Sequence, residues 1–148
     1  MSEIQTLPSD EVLRHLQELI LKAVLTNQPL PHSARPLNFP DISYIMGHSS
    51  IYLSNENLSG PISIEGLPKP LRILSPEELS QEAREQGDLA YLLFRPPEKE
   101  GNSVRLTLEG RMAPRDPQQR MLGLSGVQVR FREDGGEWKP DEPVMFAS

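Results

Sequence analysis

Strict alternation of apolar and polar residues in the second half of the chain constrains the fold more than any other feature. Residues 104–110 (VRLTLEG) and 124–133 (LSGVQVRFRE) both alternate. Because successive side chains of a strand point to opposite faces, each run predicts a strand with one buried and one wet face. Residues 89–94 (LAYLLF) are nearly all apolar, which is typical of a central strand covered on both faces.

A long first helix is predicted over residues 9–27. Ser9 provides a side-chain oxygen that can accept from a free amide of the first turn, and Asn27 with Pro29 ends the helix. Its apolar residues fall three, four, three and one positions apart, which places them on one face: Leu13, Leu16, Ile20, Ala23 and Val24.

A second, polar helix is predicted over about residues 75–86, immediately before the run at 89–94. Ser75 and Glu78 have the spacing of a capping box, and Pro76 occupies the first helical position, where it loses no hydrogen bond. Gly87 can adopt the left-handed backbone conformation that ends the helix. Four strands are predicted to follow, and the last one covers residues 138–147.

The fold predicted from these elements is α+β. A long N-terminal helix packs on a curved, mainly antiparallel sheet, because short turns such as DGGE at 134–137 join neighbouring strands. The helices are expected on one side of the sheet. Residues 1–148 are expected to form a single domain, in which residues 28–41, with four prolines, form an ordered loop.

Composition and charge exclude several classes of function. The chain has no cysteine, and its longest apolar run, residues 19–25, is far shorter than the roughly 20 residues that span a bilayer. The start of the sequence lacks the pattern of a signal peptide, so we expect a soluble cytoplasmic protein. The net charge of −6 argues against binding to nucleic acid or to a membrane surface.

The order of the elements is a helix, a short helix, a strand, a helix and four strands. This order resembles the cystatin-like and nuclear-transport-factor-two-like α+β rolls, in which a curved sheet wraps around a long first helix. The resemblance implies a cone-shaped cavity or a dimer formed through the sheet face. Such rolls include enzymes and non-enzymes, so it does not decide the activity.

No catalytic residue, metal site or cofactor is predicted. The three histidines, His15, His32 and His48, have no metal-ligand spacing, and no thiol, phosphate loop or nucleophile motif is present. Whether the chain is an enzyme stays open, with a non-enzyme favoured.

Four side chains are the candidates for a pocket between the first helix and the sheet. Tyr and His combine an apolar body with a polar tip, which suits a pocket that orients a small ligand. The alternative is that they are boundary residues of the core. The candidates are Tyr44, His48, Tyr52 and Tyr91.

An arginine-rich stretch is the main departure from the acidic character of the chain. Residues 103–132 contain six arginines and two acids. Arg105, Arg130 and Arg132 occupy outward positions of two strands that are expected to be neighbours, and together can bind a carboxylate or phosphate. The alternative is internal pairing with Glu109 or with acids of the tail. Arg111, Arg115 and Arg120 are assigned to the connecting loop.

Three functions follow from these features. The first is a non-catalytic interaction module that forms a homodimer through the sheet face, because Leu89, Tyr91 and Leu93 need a cover. The second is a roll or enzyme that binds a small molecule between the first helix and the sheet. The third is a module that binds an acidic partner through its arginine face.

Overall fold

The computed structural model describes residues 7–116, 118–119 and 122–146; for Leu122 and Leu124 it describes the backbone alone. These residues form three helices and eight strands in an α+β fold with an open, curved sheet. The helices are α1 (Asp10–Thr26), α2 (Ile42–Ile45) and α3 (Pro76–Gln86). The strands are β1 (Ile51–Ser54), β2 (Leu71–Leu74), β3 (Leu89–Phe94), β4 (Glu98–Glu100), β5 (Ser103–Ala113), β6 (Leu122–Asp134), β7 (Glu137–Pro140) and β8 (Val144–Phe146).

The sheet is mixed, in the order β2-β1-β3-β5-β6-β7. β1 runs parallel to both of its neighbours, and every other pairing is antiparallel. β4 pairs with β5 beyond the end of β3, and β8 pairs with β6 on the same side as β7. The predicted curved, mainly antiparallel sheet is confirmed.

The polar helix α3 lies between strands because β2 and β3 are both parallel to β1. Between two parallel strands the chain must run from the end of the first strand back to the level at which the second begins. This return requires a long connection, and here α3 is part of it. The predicted capping box is present, since the Glu78 amide donates to Ser75 and the Ser75 amide donates to Glu78. Gly87 follows the helix with φ 105°, in the region that favours glycine.

The first face of the sheet packs against α1. The predicted apolar face of the helix is buried, and Leu16 and Ile20 are almost completely inaccessible to water. They belong to one core cluster with Leu92 and Phe94 of β3 and with Leu106 of β5. Burial of this kind contributes about 25 cal/mol per Å² of apolar surface, so this core is the main source of stability.

The second face is covered by α3 where it contains β1 and β3. Leu79 and Ala83 of the helix form a separate cluster with Leu89, Tyr91 and Leu93. The expectation that all helices pack on one side is therefore wrong. β3 is apolar on both faces, and α1 and α3 each bury one of them.

Six strands follow α3 within the described residues, instead of the four predicted. β4 forms within the stretch that reads as a turn at residues 96–102. The last predicted strand divides into β7 and β8 around Pro143, which has no amide donor for a continuous ladder. Ala147, the end of that predicted strand, lies outside the described residues.

A buried glutamine attaches α1 to the loop after β1. The side chain of Gln17 donates to the Asn57 carbonyl oxygen at 2.9 Å and accepts from the Ser59 amide at 3.0 Å. The Asn57 side chain in turn donates to the Phe94 carbonyl oxygen at 2.8 Å. Because Gln17 is fully buried, these bonds remove the cost of an unpaired polar group in the core.

The proline-rich loop is held by both backbone and apolar contacts. Pro29 and Pro36 form an isolated antiparallel bridge that closes the loop. Leu30, Leu37 and Phe39 insert into the first-face core. The loop therefore contacts the core at its two ends, through Leu30 on one side and Leu37 and Phe39 on the other.

Gly126 of β6 provides a test of packing on the second face. A Cβ atom at this position would lie 2.6 Å from the Leu108 carbonyl oxygen and 2.5 Å from the Phe146 ring. We expect Gly126→Ala to destabilise the protein by about 1–3 kcal/mol, because backbone must move to make room. Urea unfolding measures the loss.

Gly60→Ala is the matched control for Gly126→Ala. Its Cβ would meet only the side chain of Arg14, with Cδ at 2.9 Å, and a flexible side chain can move away. Equal losses of stability in the two variants would contradict the packing described for Gly126.

Candidate functional site

Three of the four predicted pocket residues lie close together, on the second face. Tyr52 and Tyr91 belong to the cluster beneath α3, and the rings of His48 and Tyr52 meet edge to face with centroids 5.9 Å apart. Tyr44 does not join them, since it lies on α2 and is 55% exposed. The group faces α3 and not α1, so it does not line a space between the first helix and the sheet.

His48 acts as a hydrogen-bond acceptor at the start of β3. The Ala90 amide donates to its Nε2 atom at 3.1 Å, so the proton of the neutral ring is on Nδ1. Burial lowers the pKa of His48 below its ordinary value of 6.5, and the nearby charge of Lys69 lowers this pKa further. Lys69 donates to the carbonyl oxygens of Met46 and His48, which fixes the segment before β1.

Tyr52 fastens α3 to the sheet. Its hydroxyl oxygen accepts from Arg72 on β2 and from Gln86 on α3, both at 3.4 Å. The Arg72 guanidinium also lies over the Tyr52 ring, 5.4 Å from its centroid, and pairs with Glu82 at 3.2 Å. These contacts give Tyr52 a structural role beneath the helix.

The space between α1 and the sheet is filled by side chains of the first-face core. Three surface grooves, of about 550, 590 and 190 Å³, lie elsewhere. The first follows β2, the second separates the proline-rich loop from residues 140–145, and the third lies over β5 and β6. None of the three is lined by a residue of α1.

The three predicted anion-binding arginines gather on the second face, as their alternation implies, but each has an acidic partner. Arg105 lies directly opposite Arg130 in the β5–β6 pairing. Arg105 pairs with Glu98 and Glu100. Arg130 and Arg132 both pair with Asp141, at 3.0 and 3.1 Å, and Arg130 also approaches Glu100 at 3.6 Å. Three cations thus face three anions, which favours the internal alternative.

A different pair of arginines shares one carboxylate. Arg95 donates through Nε and Nη2 to one oxygen of Glu109, at 3.1 and 2.8 Å. Arg111 donates through the same two nitrogens to the other oxygen, at 3.1 and 2.7 Å. The Glu109 side chain is 8% exposed, whereas those of Arg95 and Arg111 are 47% and 40% exposed. We call these three residues the arginine clamp.

The arginine clamp stays ionised because its interactions outweigh the cost of burial. Burial by itself would raise the pKa of Glu109. The hydrogen bonds and charges of Arg95 and Arg111 more than compensate, and the pKa lies below its ordinary value. The net charge of the clamp is therefore +1.

Phe146 of β8 covers one side of the clamp. The Arg95 guanidinium carbon lies 5.3 Å from the centre of the Phe146 ring. Gly126, which pairs with both Glu109 and Phe146, provides the space for this ring. The clamp thus lies between the part of the second face under α3 and the edge at β8.

Sequence reasoning did not identify Arg95 and placed Arg111 in a loop. Arg111 belongs to β5, and Arg120 lies outside the described residues. The sequence contains one indication of the clamp. Glu109 and Arg111 are two residues apart at the end of a predicted strand, so their side chains lie on the same face of the sheet. Arg95 lies beside them only because of the register in which β3 pairs with β5. The apolar–polar pattern of a single strand does not reveal how it is aligned with its neighbour.

Within residues 7–116, 118–119 and 122–146, no group of three or more His, Cys, Asp or Glu side chains is placed to hold a metal ion. Over the same residues, no helix has the length and apolar character needed to cross a membrane.

No protein-family model, curated protein or solved structure matches the chain. The resemblance of the element order to the cystatin-like and nuclear-transport-factor-two-like rolls therefore stays a prediction.

The low pKa of His48 predicts a pH dependence of stability. Between its lowered pKa and 6.5, the unfolded state binds a proton that the folded state does not, so stability falls as the pH drops through this range. His48→Gln keeps a side-chain acceptor for the Ala90 amide but does not titrate. We expect urea unfolding to show a weaker fall between neutral and mildly acidic pH in the variant. The same fall in both proteins would contradict the assigned role.

Replacing Glu109 tests the arginine clamp. At neutral pH, Glu109→Gln should destabilise the protein by about 1–3 kcal/mol, because two guanidinium groups lose their shared carboxylate. The loss should disappear in acid, since a carboxylate with a lowered pKa stabilises above its unfolded pKa and ceases to do so as the pH falls through its folded pKa. Thermal unfolding at neutral and acidic pH measures both effects.

Glu98→Gln is the control, because Glu98 also pairs with an arginine but lies exposed at the surface. It should change stability little, as is usual for exposed ion pairs. If Glu109→Gln lowers the stability no more than Glu98→Gln does, the clamp stabilises the fold no more than an exposed ion pair.

Proposed function

We propose that this chain is a non-catalytic interaction module that forms a homodimer through the free edge of β8. The observation that carries the proposal is the exposure of two neighbouring apolar side chains on that strand: Val144 is 57% and Met145 is 44% exposed. β8 pairs with β6 on one side, and no strand of the described residues pairs with its other side. Such an edge is a template for a further strand.

The two exposed side chains belong to opposite faces of the sheet. Met145 pairs with Val127, whose side chain is part of the first-face core, whereas Val144 pairs with Gln128 on the second face. A ligand on one face would cover only one of them. A strand added at the edge brings its own side chains to both faces and covers both.

A second copy of the chain fits this edge. The residues of β8 (VMF) carry no charge, so two copies can pair without like-charge repulsion between the strands. Antiparallel pairing about a two-fold axis at Met145 places Val144 of each copy opposite Phe146 of the other. The contact is then isologous, as in most homodimers.

The position of this contact differs from the one that the sequence predicts. Leu89, Tyr91 and Leu93 are buried by α3 within a single chain, so the sheet face at β3 needs no second copy. The argument for a dimer from an uncovered face of β3 is therefore wrong. The proposal rests on the exposed edge of β8 instead.

The module is proposed as non-catalytic because the groups best suited to chemistry are engaged in structural contacts. His48 accepts from a β3 amide, and the Tyr52 hydroxyl joins β2 to α3. The filled space between α1 and the sheet supports this proposal over the small-molecule alternative. We place the module in the cytoplasm, since it needs no disulfide to fold.

Sedimentation velocity from micromolar to millimolar concentration tests the homodimer. The native chain should shift towards twice the mass of one chain as its concentration rises. Met145→Lys should stay monomeric, because a charge on the edge opposes strand pairing. Tyr44→Lys, which replaces an apolar side chain on α2 that is at least as exposed as Met145, should leave the dimer intact.

Two results would contradict the proposal. One is a native chain that stays monomeric throughout the concentration range. The other is a Tyr44→Lys variant that dissociates as readily as Met145→Lys, which would indicate a general loss of surface hydrophobicity and not a contact at β8.

A further inference from the structure

We propose that the arginine clamp, formed by Arg95, Glu109 and Arg111, is a binding site for a carboxylate group that carries a single negative charge. This site adjoins the β8 contact, because the Phe146 ring that lies over Arg95 belongs to β8. It differs from the face of Arg105, Arg130 and Arg132, where acidic side chains of the same chain already pair with the cations.

Both guanidinium groups keep free donors. Each uses only Nε and Nη2 on Glu109, and the Nη1 atoms form no hydrogen bond within the described residues. Each Nη1 carries two N–H groups, and the side chains are 47% and 40% exposed. Two sets of donors thus flank one buried carboxylate and remain open to solvent.

The clamp is also held in position before any ligand arrives. Two hydrogen bonds from each arginine to Glu109 fix the planes of both guanidinium groups. The Phe146 ring restrains Arg95 further, and a group stacked on a ring keeps its edge donors available. Since the side chains are already ordered, a ligand loses less conformational entropy on binding.

The residues paired with Arg111 on the two neighbouring strands carry no charge. Arg111 lies opposite Gly123, so β6 contributes no side chain at that position. On the other side it lies opposite Tyr91, which burial keeps as a neutral phenol by raising its pKa. The surroundings of Arg111 therefore add no competing charge from its two paired neighbours.

The net charge indicates which anion the clamp fits. Two guanidinium groups and the Glu109 carboxylate sum to +1, so one carboxylate brings the site to neutrality. A phosphate, with about −1.5 to −2 charges near neutral pH, would leave an excess of negative charge beside Glu109.

Titration with sodium acetate, followed through the arginine Nε–Hε signals in NMR spectra, tests the site. Saturating shifts are expected for Arg95 and Arg111 in the millimolar range, and sodium chloride of equal ionic strength should not reproduce them. Arg111→Gln should weaken acetate binding by about tenfold or more. Arg111→Lys keeps the positive charge but loses the planar guanidinium group with its paired donors. Its affinity for acetate should therefore lie between those of the native chain and of Arg111→Gln.

Arg130→Gln is the matched control, because Arg130 is also exposed and ion-paired but lies outside the clamp; it should leave acetate binding unchanged. Acetate binding should persist in Met145→Lys, whose altered side chain lies on the opposite face, and this variant reports on the clamp in a single chain without self-association.

Two results would overturn the proposal. Shifts that do not saturate, or that are equal at Arg95, Arg111 and Arg130, would indicate general screening of charge. Tighter binding of phosphate than of acetate at equal ionic strength would show that the site does not select a single negative charge.

Discussion

The architecture depends on one constraint, which is that β3 is apolar on both of its faces. Ala90, Leu92 and Phe94 face α1, whereas Leu89, Tyr91 and Leu93 face α3. A strand of this kind is stable only if both sides are removed from water, since each large apolar side chain gains about 1.5–3 kcal/mol on burial. The parallel arrangement of β2, β1 and β3 makes this cover available, because the connection between β2 and β3 must cross a face of the sheet, and here it does so as α3.

Covering β3 within one chain determines which surface is left for other molecules. α3 reaches only part of the second face, and beyond it β5 and β6 present charged residues to water. Arg105, Arg130 and Arg132 are balanced there by acids of the same chain, while the arginine clamp keeps a surplus of one positive charge. Among the described strands, the large apolar side chains that lack cover are Val144 and Met145 at the edge, on β8. Both proposals follow from this division of the sheet.

The local elements were predictable from the sequence, whereas the contacts between distant elements were not. The cap at Ser75, the buried face of α1 and the alternation of β5 and β6 depend on neighbouring residues, so periodicity and capping reveal them. α3 crosses a face of the sheet because β2 and β3 run in the same direction, which short patterns do not encode. The arginine clamp was missed for the same reason, because register alone brings Arg95 beside Glu109.

Amide hydrogen exchange at high dilution tests the central claim most directly, since it compares the cover of β3 with the cover of β8 in one experiment. At concentrations where only single chains are present, the amides of residues 89–94 should remain among the slowest to exchange, with the same protection as in concentrated solution. The amides of residues 144–146 should lose protection on dilution. A loss of protection on dilution in β3 itself would contradict the account, because it would mean that a second molecule supplies part of the cover assigned to α1 and α3.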